Sequence, residues 1–218
     1  MKSFEDERLP PLLLTHELIG SLARLHECRG REQLYAQQVR QALDTLKEVA
    51  VIRSAESSNR IEGVEAAPDR IKKLMKESTG PETRSEQAIA GYRDVLNTIH
   101  NNHEDIAFST GIVRQFHRDL FKYTSHRGGD WKSTGNDIIE EHPDGTEVVR
   151  FETVAPHRTP EYMEALHERF ERAWTESEVD PLLLIAAYVL DFLCIHPFRD
   201  GNGRMARLMT LLLLYKAE

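Results

Sequence analysis

The chain has 218 residues, of which 40% are hydrophobic, and its formal charge of −8 argues against a broad nucleic-acid-binding face. Its length fits one domain, or one domain with an appendage. Its two cysteines, Cys28 and Cys194, lie far apart and suggest neither a disulfide framework nor a zinc site. There is no signal-peptide pattern and no apolar stretch long enough to span a bilayer, so we expect a soluble cytoplasmic protein without membrane contact.

Apolar residues at helical spacing run through most of the chain. The spacing predicts helices over residues 15–30, 35–63, 67–77, 85–102, 109–124, 159–176 and 180–195, and another that begins within the last twenty residues. Gly30 is expected to stop the first helix and Gly63 the second. Residues 180–195 are apolar nearly all round, which predicts the central buried helix.

One segment, residues 136–151, departs from the helical spacing. Here Ile138-Ile139 and Val148-Val149 flank an Asp-Gly pair, and a turn pair between β-forming residues predicts a β-hairpin. The fold class predicted for the whole chain is therefore all-α, with one small hairpin.

The sequence has no repeat or long linker that would divide it sharply. A soft boundary at residues 78–84 separates an N-terminal helical region, residues 1–80, from a core formed by residues 81–218. We expect this core to carry the chemistry, since the most distinctive motif lies near its end.

That motif is "HPFRDGNGRMAR", residues 196–207, between two apolar helical segments. His196 precedes a proline that ends its helix, so its imidazole is expected at the mouth of a loop, where it could accept a proton near neutral pH. Gly201, Asn202 and Gly203 form a loop of little bulk before the next helix. The free backbone N–H groups of a helix N-terminus make an anion site that glycine leaves accessible.

Charged residues of the same motif fit a bound phosphate chain. Arg204 and Arg207 lie three positions apart and share a helix face, and each guanidinium can fork onto phosphate oxygens. Asp200 would repel a phosphate unless a cation bridges the two, and Mg²⁺ is the usual bridge. Taken singly, each feature is more often an ordinary turn, a helix cap or a solvated face. Together they describe a base, a metal ligand and a triphosphate site.

The motif resembles the signature of the Fic (filamentation induced by cAMP) family, HPFx(D/E)GNGRxxR, and matches it at every defined position. The resemblance implies an α-helical fold and transfer of AMP from ATP to a hydroxyl side chain of a target protein. It also implies that Phe198 fixes the loop in the core. The intact Gly-Asn-Gly loop favours transfer of AMP over transfer of phosphate.

The family's functional residues can be carried over position by position. His196 is expected to deprotonate the attacking hydroxyl, and Asp200 to hold Mg²⁺. The loop of Gly201 to Gly203 is expected to bind the α- and β-phosphates of ATP. Arg204 and Arg207 are expected to bind the β- and γ-phosphates.

Other segments extend the resemblance less specifically. "LPPL", residues 9–12, and "AESSNRIEGV", residues 55–64, resemble the N-terminal helical part of many Fic proteins, and residues 128–166 resemble their hairpin segment. The resemblance makes the hairpin a flap that docks the target by adding a strand, with Ile138, Ile139 and Val148 as docking residues. As structure, Ile138, Ile139, Val148 and Val149 form a small sheet that packs on the helices, and we expect both roles, since a flap must also pack. No nucleic-acid-binding module is expected in the residues read.

"SNRIEG" fits the family's inhibitory pattern [S/T]xxxE[G/N] through Ser58, Glu62 and Gly63. Ser58 and Glu62 are four apart and share a helix face, while Gly63 permits the left-handed residue that stops a helix. The resemblance implies that Glu62 pairs with Arg207 and inhibits the enzyme within the same chain. The alternative is a helix end with an exposed glutamate.

The remaining histidines do not indicate a metal site, because no pair has ligand spacing with cysteine or carboxylate support. We expect surface or capping roles for His26, His100, His103, His117, His126, His142, His157 and His167.

The sequence therefore predicts a self-inhibited protein adenylyltransferase that uses ATP and Mg²⁺ and modifies Ser, Thr or Tyr of a target or of itself. One alternative is an enzyme that also, or mainly, removes AMP with a water positioned by Glu62. Another is a closed regulatory binding module. The target protein and the oligomeric state, including a homodimer, stay open.

Overall fold

The structure, a computed structural model, describes residues 3–4, 15–35, 40–76, 79–142, 144–176 and 178–217, so "LPPL" lies outside the described residues. Its fold is all-α with one hairpin, as predicted. The helices are α1 (His16–Tyr35), α2 (Arg40–Ile61), α3 (Pro68–Met75), α4 (Arg84–Asn102), α5 (Thr110–Leu120), α6 (Thr159–Glu176), α7 (Pro181–Ile195) and α8 (Asn202–Lys216). None of these helices is long and apolar enough to cross a membrane.

The ends of the first helices follow local sequence signals with one exception. The predicted stop at Gly30 is wrong, because α1 continues to Tyr35, and a glycine inside a helix costs only about 1 kcal/mol. By contrast α2 ends at Ile61, and Gly63 follows with φ 71°. Helix α3 begins with Pro68 in its first turn, where a missing N–H costs nothing.

The core lies where α4, α5, α6, α7 and α8 meet. Helix α7 packs between α6 and α8, and α4 packs against α2, α3, α5 and α8. A Cβ atom at Gly91 of α4 would collide with the carbonyl oxygen of Leu120, so glycine lets α4 approach the end of α5. Helix α7 lies at the centre of this packing, as predicted, although its Leu190 is 58% exposed.

The boundary predicted at residues 78–84 falls in the connection between α3 and α4. Arg70 of α3 crosses this connection and binds both carboxylate oxygens of Glu86 in α4, at 2.8 Å and 2.7 Å. A bidentate pair of this kind fixes orientation as well as distance. The α2 and α3 segment is thus held against the core.

The hairpin pairs β1 (Ile138–Glu141) with β2 (Glu147–Phe151) in antiparallel register. Asp144 accepts hydrogen bonds from the backbone and hydroxyl of Thr146, and Gly145 has φ 81°, as the Asp-Gly signal predicts. Every residue of both strands is exposed. Among the described residues neither strand packs against a helix, and the stem residue Asn136 bonds to the core, so the interpretation in which the hairpin side chains pack on the helices is wrong.

Candidate active site

His196 stands at the turn between α7 and α8 in a strained backbone conformation. It caps α7 with φ 52° and ψ 58°, and among the described residues it alone has positive φ without being glycine. Such a conformation costs about 1–3 kcal/mol and persists where the surroundings enforce it. Pro197 contributes, since the residue before a proline is pushed out of the helical region.

The imidazole of His196 is oriented for accepting a proton. Its Nδ1 lies 3.2 Å from the carbonyl oxygen of Leu193. A carbonyl only accepts, so Nδ1 carries the hydrogen and Nε2 has the lone pair. Burial lowers the pKa of His196 below its ordinary 6.5, and the charge of Lys132 lowers it further, against opposing effects of the Leu193 bond and Glu62. The ring is therefore neutral at neutral pH.

The loop after His196 is fixed to the core by two of its own residues. Phe198 is fully buried, as expected. The Asn202 side chain accepts from the N–H of Phe198 at 2.9 Å and donates to its carbonyl at 2.6 Å. Because Asn202 is 2% exposed and bonded in this way, its backbone N–H is the group that it can offer to a phosphate.

The N-terminus of α8 presents an anion site. Gly201 is the N-cap with φ 81°, and no side chain caps the N–H groups of the first turn. A Cβ atom on Gly201 would lie 3.0 Å from the ring of Phe121, so both the backbone angle and the space favour glycine. Uncapped N–H groups at the positive end of a helix dipole attract phosphate.

Arg204 lies beneath this site and Asp200 at its edge. Arg204 is 3% exposed, its guanidinium lies 5.2 Å from the ring centre of Phe121, and its buried Nε has no hydrogen-bond partner among the described residues. Asp200 Oδ2 lies 3.6 Å from Arg204, and 57% of the Asp200 side chain is exposed. The two residues thus combine an unpaired buried donor with an accessible carboxylate.

The arrangement around Asp200 fits Mg²⁺ only as a partner of phosphate. In the part of the chain that is described, no three His, Cys, Asp or Glu side chains cluster to hold a metal ion by themselves. Mg²⁺ at phosphate sites is commonly bound by one or two carboxylates, with phosphate oxygens and water supplying the rest. A single accessible carboxylate beside an anion site matches that chemistry.

Arg207 faces the end of α2 and is held there by three hydrogen bonds. Its Nε donates to Ser58 Oγ at 2.6 Å, and its NH2 group donates to Ser58 O at 2.9 Å and to Glu62 Oε1 at 2.8 Å. The pairing that the sequence resemblance implied is present. Moreover, Glu62 Oε1 lies so close to Gly203 that a Cβ atom there would collide with it. The carboxylate therefore contacts both Arg207 and the backbone of the anion site.

A cavity of about 610 Å³ opens beside Glu62 and Asp200. Besides those two carboxylates, basic side chains from three separate segments line it, namely Arg84, His126, Arg199 and Arg204. The sequence did not mark Arg84 or Arg199 as site residues, and His126 was expected only at the surface or as a cap. Arg199 occupies the variable position of the motif, and the other two come from segments distant in sequence, so no local pattern marked them.

His117 was expected at the surface or as a cap, and this is wrong, because it is 1% exposed. The N–H of Gly129 donates to its Nδ1 at 2.8 Å, so its Nε2 carries the hydrogen and donates to the carbonyl of Asp200 at 3.0 Å. Its ring stacks on Phe198 at 3.7 Å. Burial lowers the pKa of His117 to about 4, against the opposing bond to Asp200, and keeps it neutral.

The sequence contained a signal for this placement. The buried residues of α5 are Val113, Phe116, His117 and Leu120, which follow helical spacing and include the histidine. The same expectation is also wrong for His167, which is 8% exposed on α6.

The proposed docking residues lie on the exposed strands of the hairpin. Ile138, Ile139 and Val148 are 42%, 52% and 48% exposed on the hairpin. At the hairpin stem, however, Asn136 donates to the carbonyls of His196 at 3.0 Å and Phe198 at 2.7 Å. Sequence analysis missed Asn136, since its role depends on a contact about sixty positions away.

The profile of the Fic/DOC family matches residues 107–214. The structure is similar to that of a Fic domain containing signaling protein from Bacteroides thetaiotaomicron VPI-5482, with a TM-score of 0.72 and 22% identity over 85% of this chain and 72% of that chain. It is also similar to a Fic family protein from Desulfovibrio desulfuricans G20, with a TM-score of 0.74 and 22% identity over 95% of this chain. The match spans 60% of that second protein.

No curated protein matches the chain. At these identities the solved structures show a shared fold, while the family match includes the whole turn from His196 to Arg207. The chain therefore belongs to the Fic/DOC family through its residues 107–214.

Proposed function

We propose that the chain is a protein adenylyltransferase held in an inhibited state by Glu62. The observation that carries this proposal is the position of Arg207. Its guanidinium is bound by Ser58 and Glu62 directly beside an anion site that is otherwise formed. A binding module without catalysis would have no need for a strained, half-buried His196 whose Nε2 has the lone pair.

In the proposed reaction, a target hydroxyl attacks the α-phosphorus of ATP. His196 Nε2 accepts the hydroxyl proton as the new oxygen–phosphorus bond forms and the bond to the β-phosphate oxygen breaks, so that pyrophosphate leaves. The protein contributes position and charge stabilisation rather than a covalent intermediate. The first-turn N–H groups of α8 and the free donor of Arg204 face the phosphate charge that develops in this step.

Asp200 would hold Mg²⁺ against the phosphates. When bound, the ion neutralises phosphate charge beyond what the N–H groups can. Arg204 keeps the Asp200 carboxylate near the anion site, since Oδ2 lies 3.6 Å from its guanidinium. His117 fixes the backbone of the same residue through its carbonyl oxygen.

Inhibition follows from competition for one guanidinium. The donors of Arg207 that a γ-phosphate needs are bound to Ser58 and Glu62, and one fork matches one carboxylate or phosphate face. ATP can still bind through the α8 N-terminus, but with its γ-phosphate displaced. A misplacement of about 1 Å can cost about a hundredfold in rate.

A second candidate is removal of AMP from a modified target. It is favoured by the geometry of the Glu62 carboxylate, which lies against Gly203 at the phosphate site. Of its two oxygens, only Oε1 has a hydrogen-bond partner among the described residues. The other oxygen could orient a water molecule toward a phosphorus atom. In that reaction Glu62 would be required rather than inhibitory.

The two candidates are separated by one experiment with Glu62→Gly. The full chain is incubated with ATP labelled at the α- or γ-phosphate, and label is read on the chain itself and on lysate proteins. We expect wild type to be nearly silent and Glu62→Gly to label protein from the α-phosphate only. Glu65→Gly is the matched control, since it removes an exposed carboxylate three residues away and should stay silent.

His196→Ala in the Glu62→Gly background should abolish transfer while ATP still binds, since loss of a general base costs about 10²–10⁴-fold. If Glu62→Gly is no faster than wild type, the inhibitory role is wrong. If wild type releases AMP from protein labelled by the Glu62→Gly variant and the Glu62→Gly variant does not, removal of AMP is the better assignment. On the purified chain, label from the γ-phosphate in place of the α-phosphate would contradict AMP transfer.

A further inference from the structure

Lys132 is a buried lysine that neither the family motif nor the mechanism above uses. It is 4% exposed, and burial lowers its pKa to about 8, against an opposing effect of Asp137. Its Nζ donates to Asn136 Oδ1 at 2.7 Å, to Thr153 Oγ1 at 2.9 Å and to the carbonyl of Ile195 at 3.1 Å. A buried ammonium with all three hydrogens bonded is held in one position and holds its three partners together.

Lys132 and Asn136 together bind four successive carbonyls of the catalytic turn. The carbonyl of Ile195 accepts from Lys132 Nζ, and that of Pro197 accepts from the Lys132 backbone N–H at 2.8 Å. Those of His196 and Phe198 accept from Asn136. Every carbonyl from residue 195 to residue 198 is therefore bonded to Lys132 or Asn136, across the position where His196 has its strained φ.

The bonding also fixes the orientation of the Asn136 amide. An ammonium only donates, so the oxygen of the amide must face Lys132, and its NH2 group must face the turn. Removal of Lys132 would leave that oxygen with only the hydroxyl of Thr153, which lies 3.0 Å away. The two residues consequently act as one unit.

The other side of this unit is the stem of the exposed hairpin. Asn136 precedes β1, and Thr153 follows β2. The stem is closed by Asp137, whose Oδ1 accepts from the backbone N–H of Thr153 at 2.8 Å. Lys132 Nζ thus bonds Asn136 and Thr153 of the hairpin stem and also the carbonyl of Ile195 at the end of α7.

We propose that Lys132 and Asn136 are positioning residues that hold His196 in its proton-accepting conformation and connect the docking hairpin to it. The inference rests on the proposed transfer activity. Neither side chain touches a reacting atom, because both act through the backbone of the turn. Movement of the hairpin stem when a target docks is transmitted to His196 through two bonded side chains.

The test uses the Glu62→Gly chain, in which transfer is measurable. Lys132→Met keeps the side-chain length and removes the three donors. We expect kcat to fall about 10- to 100-fold, as for a small misplacement of a catalytic group, with KM for ATP and ATP binding unchanged. Asn136→Ala should have the same pattern. Lys72→Met, at an exposed lysine of α3, is the matched control and should leave kcat unchanged.

Two further measurements separate positioning from loss of folding. Thr153→Val removes the stem hydroxyl at nearly constant shape, and its effect on kcat should be less than additive with that of Lys132→Met, because both break one network. The pH profile should also move. Two charged groups affect the pKa of His196: Lys132 lowers it and Glu62 raises it. In the Glu62→Gly background, Lys132→Met removes the positive charge that lowers the pKa of His196. The acid limb of the profile should therefore shift to higher pH.

Outcomes that contradict the inference are distinct from failure of the proposed function. If Glu62→Gly itself shows no transfer, the proposed function is wrong. If Glu62→Gly is active and folded Lys132→Met and Asn136→Ala variants retain its kcat and its pH profile, the positioning role is wrong. Additive effects of Thr153→Val and Lys132→Met would exclude the connection to the hairpin.

Discussion

Glu62 Oε1 lies 2.8 Å from the NH2 group of Arg207, although the two residues are 145 positions apart in the chain. The pair is one of three hydrogen bonds to this guanidinium, and Ser58 in the last turn of α2 accepts the other two. Such a contact holds Arg207 only when the end of α2 is seated on α8. Any ligand or partner that moves the end of α2 away from α8 would therefore release Arg207 from these hydrogen bonds.

Ser58→Ala should partly activate the enzyme. It removes the hydroxyl that accepts from Arg207 Nε but leaves the contacts to Ser58 O and Glu62. A hydrogen bond to a charged group contributes about 1.5–3 kcal/mol, so transfer from α-labelled ATP should be faster than in wild type and slower than in Glu62→Gly.

The double variant Glu62→Gly with Arg207→Ala should be inactive, because it lacks the inhibitor and also the γ-phosphate ligand.

Ser57→Ala, at the neighbouring position of α2, is the control for Ser58→Ala and should behave as wild type. A Ser58→Ala rate equal to the wild-type rate would contradict the role of the Arg207 contacts.

Protonation of His196 should limit transfer only at low pH. Since burial lowers the pKa of His196, the ring becomes neutral, and hence basic, already below pH 6.5. In the Glu62→Gly chain, kcat should rise with pH along an acid limb whose midpoint lies below 6.5, and it should be on a plateau at neutral pH. A profile of kcat from pH 4.5 to 8 measures this. A midpoint above 6.5 would mean that another group limits the reaction.

Asp200→Ala in the Glu62→Gly chain should stop transfer, and so should a chelator in excess over divalent ions. Asp200 is an accessible carboxylate beside the α8 N-terminus, and it would repel the phosphates unless a divalent cation lies between them. Asp119→Ala removes a partly exposed carboxylate of α5 and serves as the control. Full activity in excess chelator would remove the metal from the mechanism.

A proline at Ile139 or at Val148 should weaken target labelling more than ATP binding. Proline lacks the N–H that strand addition needs, and both side chains are exposed, so no core packing is lost. Labelling of lysate proteins and ATP affinity are measured side by side in the Glu62→Gly chain. Equal loss of both functions would indicate that the hairpin is only structural.

Local sequence signals predicted the features that neighbouring residues in the chain determine, namely helix ends, the hairpin turn and the helices themselves. Pro68 and Gly63 marked helix ends, the Asp-Gly pair marked the hairpin turn, and the spacing of apolar residues marked the helices. The family motif placed His196 and Arg207 at one turn because they lie on one continuous segment.

What the sequence did not predict depends on tertiary contacts. Lys132 and Asn136 reach the turn from positions sixty or more residues earlier. Helix α1 passes Gly30 because nothing at that position requires a turn. His117 was misplaced because its residue type, usually exposed or partly exposed, was weighed above its position on the buried face of α5.

The order of residues along the chain has a consequence for biosynthesis. The end of α2 is translated before the segment that contains the catalytic turn, and α8 emerges last among the described helices. When the ribosome completes α8, Ser58 and Glu62 are already present at the high effective concentration that a shared chain provides. On the proposed function, a newly made molecule therefore has no interval in which its nucleotide site is complete and Glu62 is still to be synthesised.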